Sequence, residues 1–240
     1  MSRWWVGWVV VVVVGVAVGL GGPVVLRERA SARYPVTAAD LAAGRSALAA
    51  LAGPDQRPAA ADGSAVPDGS GVADGSSYER EQFGTAWADV DRNGCDTRND
   101  VLRRDLTATT IDADGCTVLT GVLADPYTGR RIVFARGKGS ALVQIDHVVA
   151  LAAAWSSGAA SWDRRTREAF ANDPANLLAV DGPANQDKGA SDAAAWLPPD
   201  PGFACVYALR QIRVKAAYGL SVADDERAAL DDALDTCVTA

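Results

Sequence analysis

The sequence predicts a mixed α+β fold, and three features lead to this prediction. Two short runs, 143–147 and 176–180, are rich in apolar and β-branched residues, which is typical of strands. The segment 116–134 has the pattern of a hairpin. Segments of helical composition lie between and after these strands, and the last two, 205–218 and 223–237, are amphipathic. Strands and helices mixed in this way indicate the α+β class.

The N-terminal segment is strongly hydrophobic. Residues 4–26 form 23 uncharged, mostly apolar positions, a length that can span a bilayer. The small residues Ala30-Ser31-Ala32 follow and offer a cleavage site. We therefore expect residues 1–33 to be a signal peptide or a signal anchor, and an anchor would hold the chain to the membrane through residues 4–26.

Residues 34–77 are expected to connect this segment to the folded part of the chain. Residues 38–51 have helical composition, whereas residues 53–77 are rich in Gly, Pro, Ala, Asp and Ser and contain no large aromatic residue. Such a stretch cannot bury enough apolar surface to order itself, so it predicts a flexible tether. The folded domain is then expected over residues 78–240.

The pattern of this domain predicts its elements in the following order. A short helix or turn at 80–87 precedes a helix at 99–105, the hairpin at 116–134, a strand at 143–147, helices at 149–156 and 164–170, a strand at 176–180, a helix near Asn185, and two closing helices at 205–218 and 223–237. The hairpin turns at Asp125-Pro126-Tyr127-Thr128-Gly129, because proline and glycine favour turns.

Four cysteines indicate the compartment in which the chain works: Cys95, Cys116, Cys205 and Cys237. None lies in a C-x-x-C pair and the chain has one histidine, so a structural zinc site is not indicated. On an exported chain the four cysteines indicate two disulfides, for which three pairings are possible. We favour the pairs that are local in sequence, Cys95–Cys116 and Cys205–Cys237.

The overall charge disfavours a protein that coats nucleic acid through a global positive field. Lysine and arginine number 23 against 30 aspartates and glutamates, which leaves a formal charge of −7. An enzyme that acts on nucleic acid needs only a local basic surface, and arginines do concentrate between residues 92 and 136.

The loop Asp89–Asp100, "DVDRNGCDTRND", partly matches a calcium-binding loop. Asp89, Asp91, Asn93 and the bending Gly94 occupy suitable positions, but the twelfth residue is Asp100 instead of the glutamate that reaches Ca²⁺ with both oxygens. An Asx-rich turn that caps the next helix explains the same residues. Both interpretations stay open at this point.

The strongest candidate site surrounds the only histidine. Asp146 precedes His147, Asn176 opens the second strand, and Asn185 follows nine residues later. Phosphodiester hydrolysis needs a cation that polarises the phosphate and a base that deprotonates water. Asp146 and the amide oxygen of Asn185 are suitable ligands for Mg²⁺, and His147 is suited to accept a proton at neutral pH. Asn176 is expected to hold the histidine loop or to orient the ring.

The segments "DHVVAL", "ANDPANLLAV" and "NQDKGASD" resemble the HNH endonuclease family, whose ββα-metal motif carries Asp-His, Asn and a final His or Asn in this order. Asp146, His147, Asn176 and Asn185 match these four places. The flanking sequences resemble an exported bacterial subgroup related to the C-terminal domain of GmrSD-type enzymes, and the resemblance covers about residues 78–237. It implies a ββα-metal core embedded in helices. The 28 residues between His147 and Asn176 exceed a minimal ββα hairpin and imply an inserted helical segment.

The sequence therefore predicts an exported or surface-anchored endonuclease that depends on Mg²⁺, with Mn²⁺ as the second candidate metal. Its expected substrate is nucleic acid, with DNA favoured over RNA and little sequence specificity. Lys188 and Arg98 are candidate substrate contacts. Three tryptophans could stack on bases, although their spacing is more typical of core residues: Trp155, Trp162 and Trp196. Two alternatives are a non-catalytic module that binds nucleic acid or a wall polymer, and a surface protein stabilised by Ca²⁺ at Asp89–Asp100.

Overall fold

The computed structural model of the chain describes residues 33–54 and 77–240. The predicted membrane segment at 4–26 and nearly all of the predicted tether lie outside these residues. Within the described ranges, no helix combines the length and the apolar character that crossing a membrane requires.

Helices and strands are mixed along the described chain, as the sequence predicts. The helices are α1 (Ala38–Ala50), α2 (Thr97–Asp105), α3 (Leu151–Ser156), α4 (Arg164–Ala171), α5 (Gly182–Lys188), α6 (Ala204–Tyr218) and α7 (Asp224–Leu234). The strands are β1 (Leu106–Ile111), β2 (Val118–Ala124), β3 (Arg131–Ala135), β4 (Val143–His147) and β5 (Leu177–Asp181). The α+β class and the hairpin β2–β3 are confirmed.

Two small antiparallel sheets organise the strands. One has the order β1-β2-β3, and the other pairs β4 with β5 in a register that sets His147 opposite Leu177. Strand β1 was not predicted, because three of the six residues in "LTATTI" are threonines and only Leu106 is buried. All five residues of β5 are buried, so the β4–β5 pair lies inside the molecule.

Helix α5 follows β5 without a loop. Asp181 ends the strand and caps the helix, since its Oδ1 accepts a hydrogen bond from the Ala184 amide at 2.9 Å. A Cβ atom at position 182 would collide with the Ala141 carbonyl oxygen, so the close approach of this turn requires glycine. The tight turn brings the start of α5 back against β4.

Helix α1 packs against the C-terminal helices, although the sequence assigns it to the region before the 78–240 domain. Leu48 and Leu51 are buried in one hydrophobic cluster with Leu209 and Ile212 of α6. Arg45 also binds Asp231 and Asp235 near the end of α7. The alanine-rich sequence of α1 has no marked apolar face. The sequence of this helix therefore did not predict that it packs against the C-terminal helices.

Both disulfides that are local in sequence are confirmed. Cys95–Cys116 fastens the loop before α2 to the turn before β2, and Cys205–Cys237 joins α6 to the end of the chain. Bonds of this kind persist in oxidising compartments.

The Asp89–Asp100 loop forms Asx turns in the structure. Asp89 accepts hydrogen bonds from the amides of Asn93 and Gly94, at 3.1 and 2.9 Å, and Asp91 also accepts from the Asn93 amide. The described part of the chain has no group of three or more His, Cys, Asp or Glu residues that could hold a metal ion. These hydrogen bonds form the Asx-rich turn of the second interpretation, and calcium binding at the loop stays a prediction.

Candidate active site

A cleft of about 520 Å³ opens beside the end of β4. Asp146, His147, Asn185 and Arg98 line it, together with residues of the segment before α2. Neighbouring strand residues normally point to opposite faces. Here both Asp146 and His147 border the cleft because His147 is the last residue of β4. Three of the four predicted motif residues thus share one cavity.

The His147 ring is held by one hydrogen bond and is almost fully enclosed. Its Nε2 lies 2.8 Å from the Ala171 carbonyl oxygen, and the His147 residue is 7% exposed. A carbonyl oxygen only accepts hydrogen bonds, so Nε2 carries the proton of the neutral ring and Nδ1 keeps its lone pair. Burial lowers the pKa of His147 to about 4, against the opposing effect of the Ala171 hydrogen bond. The ring is therefore neutral at pH 7.

The Asp146 carboxylate is bound by two buried partners. Its Oδ2 accepts a hydrogen bond from the Tyr127 hydroxyl at 2.5 Å, and its Oδ1 accepts one from Lys188 Nζ at 2.9 Å. Burial raises the pKa of Asp146, and the Lys188 charge opposes this effect. The sequence did not single out Tyr127, whose position in a turn carries no sign of this contact.

Lys188 is buried and does not line the cleft. The side chain has no exposed area, and Nζ also donates to the His147 carbonyl oxygen at 2.8 Å. The last residue of α5 therefore ties that helix to the end of β4. Direct contact between Lys188 and a phosphate would require this ion pair to open.

Asn176 holds the chain that follows His147. Its Oδ1 accepts from the Val149 amide at 2.8 Å, and its Nδ2 donates to the Val149 carbonyl at 3.2 Å. The Asn176 carbonyl also accepts from the Val148 amide at 2.8 Å. This fully buried residue clamps the histidine loop and does not border the cleft.

Asn185 and Arg98 border the cleft from two other elements. Asn185 Nδ2 donates a hydrogen bond to Gln144 Oε1 at 2.9 Å. The amide oxygen of Asn185 takes no part in this bond. Arg98, near the start of α2, is half-buried with its guanidinium 6.0 Å from the centre of the Phe134 ring. Both residues thus line the same cleft as Asp146 and His147, and their roles stay predictions.

Two further cleft residues come from the segment before α2. Arg80 is exposed on the cleft wall, and the Trp87 ring lies 6.1 Å from the His147 ring with 16° between the planes. The sequence singled out neither, because the contact spans 60 residues. The three tryptophans it did consider pack against hydrophobic clusters: Trp155, Trp162 and Trp196.

Comparison with known proteins places this site in a family. A family model described as "GmrSD restriction endonucleases, C-terminal domain" matches residues 96–232, more than half of the chain. The chain belongs to this family. Membership of the GmrSD C-terminal domain family indicates a nuclease-related function.

A relative matches about two thirds of the chain. An "Uncharacterized secreted protein" of Arthroderma benhamiae (strain ATCC MYA-4681 / CBS 112371) is 41% identical over 162 residues, which cover 67% of this chain and 76% of that protein. No solved structure matches the chain with significant similarity. The GmrSD C-terminal domain match includes all four motif residues but leaves out α1 and the segment with Arg80 and Trp87.

Proposed function

We propose that the chain is an exported, metal-dependent endonuclease of the HNH type that hydrolyses phosphodiester bonds in nucleic acid, with DNA favoured. One observation carries the proposal. Asp146, His147 and Asn185 border a single cleft on a β-β-α arrangement made of β4, β5 and α5, while Asn176 clamps the loop behind it.

His147 is the proposed general base. The Ala171 carbonyl holds Nε2, so Nδ1 is the ring nitrogen that accepts a proton from water. Burial keeps the ring neutral at pH 7 by lowering the pKa of His147 to about 4, and a neutral ring is the form that can act as a base. Asn176 positions this base through its two contacts with Val149.

Asp146 and Asn185 are the proposed holders of Mg²⁺, with Mn²⁺ as the second choice. Carboxylate and amide oxygens are the ligands these cations take, and Mg²⁺ needs few protein groups because it keeps several waters. Each oxygen of Asp146 already accepts one hydrogen bond, but a carboxylate has about four lone-pair sites, so the donor set fits. A bound metal would stabilise the negative charge that develops on the scissile phosphate.

Arg98 and Arg80 are the proposed contacts to the phosphate backbone. Both line the cleft, and their charge offsets locally the negative charge of the whole chain. Contacts to phosphates carry no sequence information, which supports low sequence specificity, and they make activity fall as salt rises.

Export is supported by the two disulfides and by the relative whose name describes it as secreted. Residues 4–26 would direct the chain across the membrane or anchor it there. The flanking sequences further support an exported subgroup of the family.

The test is a cleavage assay with the full chain. Plasmid DNA, single-stranded DNA and RNA are incubated with Mg²⁺, Mn²⁺, Ca²⁺ or EDTA, beside His147→Ala. We expect cleavage with Mg²⁺ or Mn²⁺ and a loss of about 10²–10⁴-fold in His147→Ala. Arg165→Ala, at an exposed position outside the cleft, serves as the matched control and should cut like the parent.

Two outcomes would contradict the proposal. If every nucleic acid stays intact under every metal condition, the proposed endonuclease activity is wrong. Binding without cleavage would favour the non-catalytic module. Equal cleavage by His147→Ala removes the proposed base. Stabilisation by Ca²⁺ that is lost in Asp91→Ala, with no cleavage, would favour the calcium-stabilised surface protein.

A further inference from the structure

A second, smaller cavity adjoins the cleft. Its volume is about 140 Å³, and it shares four lining residues with the cleft: Arg80, Trp87, His147 and Leu151. Ala171, whose carbonyl accepts the hydrogen bond from His147 Nε2, lines the smaller cavity but not the cleft. The ring of His147 thus lies between the two spaces, so a molecule in the cleft could extend past the histidine into the second cavity.

The size and lining of this cavity suit one flat aromatic ring. An apolar protein cavity of about 150 Å³ accepts a benzene ring. Phe83, Trp87 and Leu151 supply apolar walls, and Gly84 and the exposed residue Glu81 also line the cavity. The volume of this space is close to that of a cavity that accepts one six-membered ring, and a fused two-ring system needs more room.

Trp87 occupies this wall in a costly conformation. Its φ is 60°, a value that bulky residues seldom adopt. Such backbone strain persists where surrounding structure holds it in place, often in ligand sites. The result is an indole that lies nearly parallel to the His147 ring and forms one side of the cavity.

Hydrogen bonds to α4 and its end keep this wall in place. Arg167 Nε donates to the Gln82 carbonyl at 2.9 Å, and the Thr85 amide donates to Glu168 Oε1 at 2.9 Å. Asn172 Nδ2 also donates to the Thr85 carbonyl at 3.2 Å. Helix α4 lies in the stretch inserted between β4 and β5, so this insertion supports a preformed cavity beside the histidine.

We propose that the smaller cavity binds one pyrimidine base of an unpaired nucleotide whose phosphate lies in the cleft. The inference rests on the proposed function in that the substrate is a nucleic acid. Trp87 stacks on the base, Arg80 binds the connecting phosphate, and Glu81 accepts an N–H of the base edge. Cytosine, thymine and uracil all carry such a donor. A paired base cannot enter, so the substrate is single-stranded or locally unpaired.

The test measures binding in EDTA, where no cleavage occurs. Fluorescence anisotropy with the full chain compares the labelled hexamers dC6, dA6, rC6 and rA6. We expect each pyrimidine hexamer to bind at least about fivefold more tightly than the matching purine hexamer, since one stacked base contributes that much or more. The dC6 and rC6 arms separate DNA from RNA as the source of the base.

Substitutions at position 87 connect this preference to the cavity. Trp87→Leu should weaken dC6 binding roughly tenfold and abolish the preference over dA6, whereas Trp87→Phe should keep it, because a phenyl ring still stacks. Thermal unfolding of both variants verifies that they fold.

The possible failures are distinguishable. Equal binding of dC6 and dA6 by the parent, or unchanged dC6 binding by folded Trp87→Leu, overturns the pyrimidine cavity, while plasmid cleavage would leave the endonuclease proposal intact. If no hexamer binds and no nucleic acid is cut, both proposals fail.

Discussion

Lys188→Met removes the ammonium group that neutralises Asp146. The side chains of this pair are 0% and 6% exposed, and the Nζ to Oδ1 distance is 2.9 Å. Removing one partner of a buried pair costs about 3–5 kcal/mol, because the remaining charge has no compensation. The lost hydrogen bond to the His147 carbonyl adds about 1 kcal/mol. For a protein of this size the melting temperature should fall by roughly 10 °C or more.

Divalent metal should recover part of this loss if Asp146 is a metal ligand. In the Lys188→Met variant, Mg²⁺ is the only cation that can pair with the Asp146 carboxylate. Mg²⁺ should therefore bind more tightly than in the parent and stabilise the folded state. At a hundred times its Kd, a ligand adds about 2.7 kcal/mol. The assay is thermal unfolding in EDTA and over a series of Mg²⁺ and Mn²⁺ concentrations.

Lys215→Met provides a matched control. Lys215 and Glu226 form a second buried pair, 2.8 Å apart with side chains 1% and 4% exposed, and neither residue borders the candidate cleft. Its loss should cost a similar free energy of unfolding without metal-dependent recovery. Equal metal responses in the two variants would refute Asp146 as a ligand, and a cost below about 1 kcal/mol in Lys188→Met would refute the buried pair.

Three further predictions concern stability. Without divalent metal, the pKa of His147 is about 4 in the folded chain against an ordinary 6.5. Stability is therefore full above pH 6.5 and falls by about 3 kcal/mol as the pH drops toward 4. Urea titrations of His147→Gln should show no such fall in stability between pH 6.5 and 4. An unchanged pH dependence in this variant would contradict the prediction. Leu48→Ala should lower the free energy of unfolding by about 2–5 kcal/mol, and exposed Leu142→Ala by less than about 0.5 kcal/mol. Equal effects would refute the docking of α1. Replacing Cys205 and Cys237 by serine opens a loop with a sequence separation of 32 and should cost about 3–4 kcal/mol in denaturant unfolding. A cost near zero would argue against the constraint.

Much of the fold was predictable because it rests on short-range patterns. Strand β4 has the predicted bounds, and β5 is displaced by one residue. The closing helices and both local disulfides were also predicted from features that are close in sequence, and the structure confirms them. Strand β1 was missed because its exposed, threonine-rich residues lack an apolar pattern and gain their order from pairing with β2.

The position of Asn176 illustrates how far local sequence reaches. The residue before a strand that pairs with the histidine strand must lie near the histidine loop, and its two contacts with Val149 fit this expectation. Lys188 shows the limit. Its side chain has the same chemistry on a surface or in an interior, so only its burial against Asp146 distinguishes an ion-pair partner from a free phosphate contact.

The sequence by itself determined which residues are candidates for the chemistry, because Asp146, His147, Asn176 and Asn185 follow one another in the order of a single motif. Only the tertiary structure decided their environment. It brought Arg80 and Trp87 to the cleft beside His147, although 60 or more residues of chain separate them from it. It also placed Tyr127 and Lys188 on the two oxygens of Asp146 and buried the histidine. Long-range packing and removal of water are properties of the whole folded chain, and no local pattern of residues specifies them.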